Sequence, residues 1–192
     1  MIFFTSDTHF REKRLELFYR PFKTTEESDS TLVNGWNKMV GENDEVYFLG
    51  DFIGPDENNE KTLSEIVPKL NGKIHLVKGN YDELPDEVYE KYFASVSDSL
   101  TMRVKKGDKS INLYLNHFPS KGRKDMMNIV GHIHSLFKVQ RNMVNVGCDA
   151  WHFRPVSLDQ LLFIINGIQN HFDENVFAGE LECNLERKVS DK

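Results

Sequence analysis

Cysteine is scarce in this chain: Cys148 and Cys183 are the only two in 192 residues. That excludes a disulfide framework and a thiolate zinc knot, and points to a reducing compartment, the cytoplasm. Long apolar runs are missing too. The longest, Leu161 to Ile165, is far short of a membrane span, so no membrane partner is expected. The first residues, Met1-Ile2-Phe3-Phe4-Thr5-Ser6-Asp7, carry neither a basic leader nor a small-residue cleavage pattern. There is no surplus of positive charge either. Thirty acids against 24 bases give −6, so nucleic acid is not implied, though it is not excluded as a substrate. Repeats, low-complexity stretches and linkers are absent.

What remains is an ordinary globular composition, 39% apolar and 28% charged, at a length suited to one domain. Charge is unevenly spread. Positions 173–192 hold six acids and three bases, and are expected to form an acidic extension, a strand or a tail, beyond a domain of residues 1–172. Between Arg103 and Lys124 seven bases meet one acid. Within that stretch Lys121, Arg123 and Lys124 are candidates for contact with an anionic substrate.

Short β-rich runs recur at Ile2–Ser6, Glu45–Leu49, Ile74–Lys78, Leu100–Val104, Ile111–Leu115, Met127–Val130 and Met143–Val146. The first three are nearly all apolar, as central strands buried on both faces are. Helical stripes lie between and after them. Leu32, Val33, Trp36, Met39 and Val40 share one, behind Thr24 or Thr25 as cap. Leu63, Ile66, Val67 and Leu70 share another, which Pro68 is expected to shorten, and Ser157 caps a last helix running through Leu161 and Ile165. The order, βαβαβ followed mostly by strands, predicts an α/β fold with crossovers and hairpins. Lys105 to Lys109 reads as a hairpin loop.

The polar residues that follow each strand carry the chemistry. They are Asp7-Thr8-His9, Gly50-Asp51, Gly79-Asn80, Asn116-His117 and Gly131-His132-Ile133-His134. Ligands gather beyond the carboxyl ends of strands in sheets with crossovers, so five loops can deliver Asp7, His9, Asp51, Asn80, His117, His132 and His134 to one rim. Singly, each reads as a turn or capping residue. Jointly, imidazole, carboxylate and amide without thiolate suit Mn, Fe, Zn, Ni or Co. Seven such groups exceed the needs of one ion and suit two, bridged by one carboxylate. On a straight strand the two rings of His132-Ile133-His134 point to opposite faces, so both reach one site only if the backbone turns there.

In this order, Asp7-x-His9, Gly50-Asp51, Gly79-Asn80-x-Asp82, His117 and Gly131-His132-x-His134 resemble the calcineurin-like metallophosphoesterase superfamily. Thr5-Ser6-Asp7-Thr8-His9-Phe10, Arg20-Pro21-Phe22, Asn145-Val146-Gly147 with Asp149-x-Trp151, and Arg154-Pro155-Val156-Ser157 are similar to its small bacterial and phage members. The resemblance covers residues 1–160 and implies a double β-sheet sandwich flanked by helices, in four αββα layers. It implies one divalent ion on Asp7, His9, Asp51 and His134, and a second on Asp51, Asn80, His117 and His132, with Asp51 as bridge and Mn favoured. It further implies in-line attack on phosphorus by a metal-bridging hydroxide, with Asp51, Asn80 and His117 serving catalysis through the ions. His152, just after Asp149, is a further candidate at the rim.

Two departures narrow the expectation. Many superfamily members place a histidine, a leaving-group acid, where this chain has Tyr81, and a phenol is a poor acid at neutral pH. Members lacking that histidine act as phosphodiesterases. The Gly-Asp-x-Val-Asp-Arg-Gly and Gly-Asn-His-Glu signatures of protein Ser/Thr phosphatases are absent. The expectation is a dimetal phosphodiesterase acting on a phosphorylated small molecule or nucleotide. Phosphomonoester or nucleotide pyrophosphate hydrolysis is the enzymatic alternative, and a catalytically weak binding scaffold the other.

Overall fold

A computed structural model describes residues 1–171. The expected 172/173 boundary, the acidic extension and Cys183 lie outside the described residues. The chain begins β1 (Ile2–Thr5), α1 (Thr25–Met39), β2 (Glu45–Phe48), α2 (Glu60–Ile66) and β3 (Lys73–Val77). It continues with α3 (Asp86–Tyr89), β4 (Ser95–Ser97), β5 (Leu100–Lys106), β6 (Lys109–Leu115) and β7 (Met127–Val130). It then runs through β8 (Val139–Gln140), β9 (Met143–Asn145) and β10 (Val156–Ser157) into α4 (Leu158–His171).

Local chemistry explains the helix boundaries. Thr24 rather than Thr25 caps α1, its side chain accepting the Glu27 N–H at 3.2 Å. Asn59 caps α2 in the same way through Thr62; such caps contribute about 1 kcal/mol each. At Pro68 the α2 pattern tightens into a 3-10 turn, Val67–Lys69. Ser157 and Gln160 satisfy each other's backbone N–H at the start of α4, a reciprocal capping box. The expected five-residue hairpin loop is tighter than its charge suggested. β5 and β6 stay in register to Lys106↔Lys109, leaving only Gly107 and Asp108 to turn, with Gly107 at φ 58°.

Two mixed five-stranded sheets result, in the orders β10-β1-β2-β3-β4 and β5-β6-β7-β9-β8, flanked by helices. The first sheet is buried on both faces. Phe3, Val46, Phe48, Ile74 and Leu76 pack with Leu32 and Trp36 of α1 and Leu63 and Ile66 of α2. On the opposite face Phe4, Leu49 and Val77 share a core with Leu113, Leu115, Ile129 and Val144 of the second sheet and with Leu161 and Ile165 of α4. Burial on both faces is why β1 to β3 read as unbroken apolar runs. The second sheet alternates instead: Val104 and Leu113 are buried, while Arg103, Lys105 and Asn112 are exposed.

An isolated bridge, Ser6↔Gly147, joins the end of β1 to the chain leaving β9. It draws the carboxyl ends of the two sheets together, and the polar loops meet there. No helix among the described residues is long and apolar enough to cross a membrane.

Leu161 is fully buried where α4 meets both sheets. Leu161→Ala should cost about 2–5 kcal/mol. Equilibrium urea unfolding should show a lower midpoint at an unchanged slope, since the surface exposed on unfolding is the same.

Candidate metal centre

The polar loops are fastened to one another by backbone hydrogen bonds. Asp7 N–H donates to Gly50 O at 3.0 Å, His9 N–H to Asp51 O at 3.1 Å, and Gly131 N–H to His117 O at 3.0 Å. Each loop thus fixes the height of its neighbour. Gly50, at φ 86°, turns the chain out of β2, and Gly79 has to lack a side chain. A Cβ there would lie 2.3 Å from Asp51 Oδ1.

Five of the seven expected ligands adopt the left-handed backbone that L-residues avoid: Asp7 (φ 57°), His9 (45°), Asp51 (59°), His132 (73°) and His134 (51°). This is the turn that the His132-Ile133-His134 sequence requires if both rings are to reach one site. The two left-handed residues swing their imidazoles to the same rim.

The seven side chains form two adjoining groups. Asp7, His9 and His134 offer ligand atoms within 4.8 Å of one another, and so do Asp51, His117 and His132. Asn80 joins the second group, with Oδ1 3.1 Å from His117 Nε2. His117 Nε2 also lies 3.2 Å from His132 Nδ1 and 3.3 Å from Asp51 Oδ2. Two atoms bound to one ion at about 2.0–2.2 Å stand about 3–3.5 Å apart, so this spacing fits a shared cation. On the other side, Asp51 Oδ2 lies 3.7 Å from His9 Nε2.

The donor chemistry fits a metal as well. His117 Nδ1–H donates to Leu49 O at 2.7 Å, so Nε2 is the atom that faces Asn80 Oδ1 and Asp51 Oδ2, two acceptors that a proton or a metal ion on Nε2 satisfies. Such a cluster needs a cation at its centre. Both ring nitrogens of His9 are buried without a hydrogen-bond partner, an arrangement that costs about 1–3 kcal/mol per group unless a ligand satisfies it. Burial drives His9 down to about 3, so its approach to Asp51 is that of a neutral imidazole, the form that binds metals. Burial pushes the Asp7 carboxyl up to about 6, despite the opposing charges of His117 and His134. Burial also acts against charge on His117, but the Asp51 hydrogen bond and the Asp7 and Asp51 carboxylates carry it to about 9.

A supporting shell holds these ligands. Asp149 Oδ2 accepts from His134 Nδ1 at 2.7 Å, leaving His134 Nε2 for the site. Arg20, itself buried, grips Asp149 through Nε at 2.8 Å and donates to the Asp7 and Thr8 carbonyls. Asp82 accepts the N–H groups of Asp51 (2.7 Å), Gly79 (2.8 Å) and Phe52 (3.2 Å), fixing the loop that presents Asp51. Asn145 donates to His134 O at 2.6 Å. Arg20, Asp82, Asn145 and Asp149 lie inside the sequence motifs but outside the expected ligand set. The signal was residue type, since charged and amide groups next to apolar strands are buried only with partners. Phe18 had no signal, yet its ring stacks on His134 at 4.1 Å and on His9 at 4.8 Å.

The other candidate residues are distributed unevenly. Tyr81 borders the centre, with its ring edge-on to His9 at 5.4 Å and its N–H donating to Asp51 Oδ1 at 2.9 Å. Lys121 lies 4.3 Å over the Phe118 ring, which in turn touches the rings of His117 and His132. Its two companions point elsewhere. Arg123 pairs with Asp125 and lies over Tyr114 of β6, and Lys124 lines a different cavity with Ile111 and Gln169. His152 is exposed at φ 55°, where it closes the Cys148–Trp151 turn, and its side chain bonds to none of the ligand residues.

Comparison with known proteins agrees with this geometry. The Calcineurin-like phosphoesterase family matches residues 1–179, and the chain belongs to that family. Together with the two Asp/His groups, membership supports a metal-dependent phosphoesterase. An uncharacterized protein of Methanocaldococcus jannaschii is 30% identical over 85% of this chain and 90% of its own length. The Gene 66 protein of Mycobacterium phage L5 is also 30% identical, over 90% of this chain and 97% of its own. A solved protein of unknown function from Aquifex aeolicus shares the fold, with a TM-score of 0.66 at 21% identity over 86% of this chain and 99% of that one.

The proton on His117 has a consequence for stability. A ring raised from 6.5 to about 9 on folding stabilises the protein fully below pH 6.5, and that contribution is lost as pH rises through 9. In protein stripped with a chelator, the melting temperature should therefore fall between pH 6.5 and 9. Saturating divalent metal should flatten that slope, because the ion takes the place of the proton. Thermal scans across this range, with and without metal, check both halves of the expectation.

Proposed function

We propose that this protein is a phosphodiesterase working with two divalent ions, one on Asp7, His9, Asp51 and His134 and the other on Asp51, Asn80, His117 and His132. The observation that carries this reading is the position of Asp51 Oδ2, 3.7 Å from His9 Nε2 and 3.3 Å from His117 Nε2. One carboxylate oxygen faces both donor groups, as a bridging ligand must. Ions held in such a pair supply Lewis acidity toward phosphoryl oxygens and an activated water at neutral pH.

The chain's own residues do the positioning. His134 is oriented by Asp149, His117 by the Leu49 carbonyl, and Asp51 by Tyr81 and Asp82. The Asp, Asn and His set, without thiolate, suits Mn, Fe, Zn, Ni or Co, and the family resemblance favours Mn among them. Of the three candidate bases, Lys121 is the one set beside the centre, where it can meet an anionic substrate. A reducing cytoplasm is the compartment we assign, in keeping with Cys148 as a buried free thiol.

The preference for diesters rests on the resemblance at Tyr81, since members without a histidine at that position act as phosphodiesterases, and the same residue bears on the leaving group. With its backbone tied to Asp51 and its ring against His9, this residue shapes the wall where the resemblance places an acid in other members. Without an imidazole there, an alkoxide must leave unprotonated, so leaving groups of low pKa are favoured and alkyl monoesters are poor substrates.

Elemental analysis of protein purified with excess Mn should give two ions per chain, and chelation should abolish hydrolysis. Asp51→Asn should reduce occupancy at both positions and lower kcat/KM more than any single histidine change, because it weakens both ions at once. Full hydrolysis by protein that binds no metal would overturn the reading.

Leaving-group dependence tests the role of Tyr81. Across diesters and monoesters of graded leaving-group pKa, wild type should show kcat/KM falling as that pKa rises. Tyr81→Phe should stay within about threefold of wild type, while Tyr81→His should improve the poor leaving groups about tenfold or more. A flat wild-type series with an inactive Tyr81→Phe would make Tyr81 itself the acid.

A further inference from the structure

Few large apolar side chains are left in water among the described residues, and most of them gather at one place. Leu17 is 58% exposed, Tyr19 94% and Leu136 85%, with only Met1 and Phe163 comparable elsewhere. Leu17 and Tyr19 belong to the short turn after the first ligand loop, which Tyr19 closes at φ 52°. Leu136 belongs to the turn after His134. The two turns face each other across a cavity of about 370 Å³, a size in the range of small-molecule sites.

That cavity borders the metal centre through two of its seven ligand residues. His132 and His134, one from each donor group, line it, and the Phe18 ring lies nearly parallel on His134, 17° between planes. No Asp, Glu, Lys or Arg lines the space, whereas charged residues line a larger cavity elsewhere, that of Lys124, Asp125 and Arg141. A phosphate seated on the ions would therefore have an uncharged, ring-bearing wall on this side and Lys121 near Phe118 and His132. Exposed apolar side chains continuous with a reaction centre mark a binding surface.

We infer that Leu17, Phe18, Tyr19 and Leu136 form a subsite that takes a planar aromatic ester group of the substrate. This rests on the phosphoesterase reading above and adds the chemistry of the group attached to phosphorus. Phe18 and Tyr19 supply ring faces for offset or edge contacts, and Leu17 and Leu136 close over the ring. A nucleobase and a simple aryl ring share this chemistry. The lining, whose polar side-chain groups apart from the histidines are the hydroxyls of Ser135 and Tyr19, sets no extended pattern of base-edge partners.

Calorimetric titration of metal-loaded protein with phosphonates, which are not hydrolysed, tests the subsite. Wild type should bind phenylphosphonate about tenfold more tightly than methylphosphonate, the scale of one well-formed aromatic contact. In Leu17→Ser/Tyr19→Ser/Leu136→Ser the two affinities should converge, with methylphosphonate binding within about twofold of wild type. The substituted side chains are solvent-exposed, and Tyr19→Ser alone, expected to shrink the ratio about threefold, serves if the triple variant misfolds. A nucleoside 5′-phosphonate that binds more tightly than phenylphosphonate identifies a base as the natural occupant; the reverse order identifies a simple aryl group. Equal phenyl and methyl affinities in wild type, or a ratio that survives the substitutions, would overturn the subsite and make the exposed residues a docking patch for another macromolecule. Failure of methylphosphonate to bind metal-loaded wild type would instead count against the phosphoesterase reading.

Discussion

One carboxylate holds the architecture of the centre together. Asp51 directs Oδ2 toward His117 and His9, gives Oδ1 to the Tyr81 N–H, and has its own N–H held by Asp82. Everything around it serves to keep that oxygen in place. The parallel pairing of β1, β2 and β3 brings the Asp7, Asp51 and Asn80 loops side by side. The Ser6↔Gly147 bridge and the His117–Gly131 hydrogen bond then bring the loops of the second sheet to the same height.

Holding it there is costly. Left-handed backbone at a residue other than glycine costs of order 1–3 kcal/mol, and five of the ligand residues adopt it. Burying the two ring nitrogens of His9 unpaired and lifting the Asp7 carboxyl toward neutrality add to the cost. Three things offset it: the apolar core on both faces of the first sheet, the backbone bonds between the loops, and the buried Arg20–Asp149 pair. Fold and site are thus coupled through opposing terms. The core overdetermines loop conformations that would not persist alone, and those conformations spread the imidazoles where a straight strand would separate them.

Much of this was legible in the sequence because the signals were local. Apolar runs ending in Asp, Asn or His gave the strands and their active ends, and the Thr24-Thr25 pair and Ser157 marked helix starts. What escaped lacked a local pattern. The strands Ser95–Ser97, Val139–Gln140 and Val156–Ser157 are two or three residues long and exist only because a neighbouring strand offers its backbone. Arg20 and Asp149 are 129 positions apart, and nothing in either neighbourhood announces the other. Arg123 and Lys124 looked like companions of Lys121, but the turn at Pro119–Lys121 points them along the second sheet, away from the centre. Charge clustering in sequence did not become clustering in space.

The separation of the ligands along the chain also sets when the centre can come into being. Asp7 is synthesised well before the group that holds its carboxylate, the backbone N–H of His132, 125 residues later. The clamp that orients His134 arrives only with Asp149. On a growing chain neither donor group is complete before His132 and His134 have been made. Loop closure over such a distance has to come first. A copy that stops short of His132 therefore lacks a ligand of both donor groups at once.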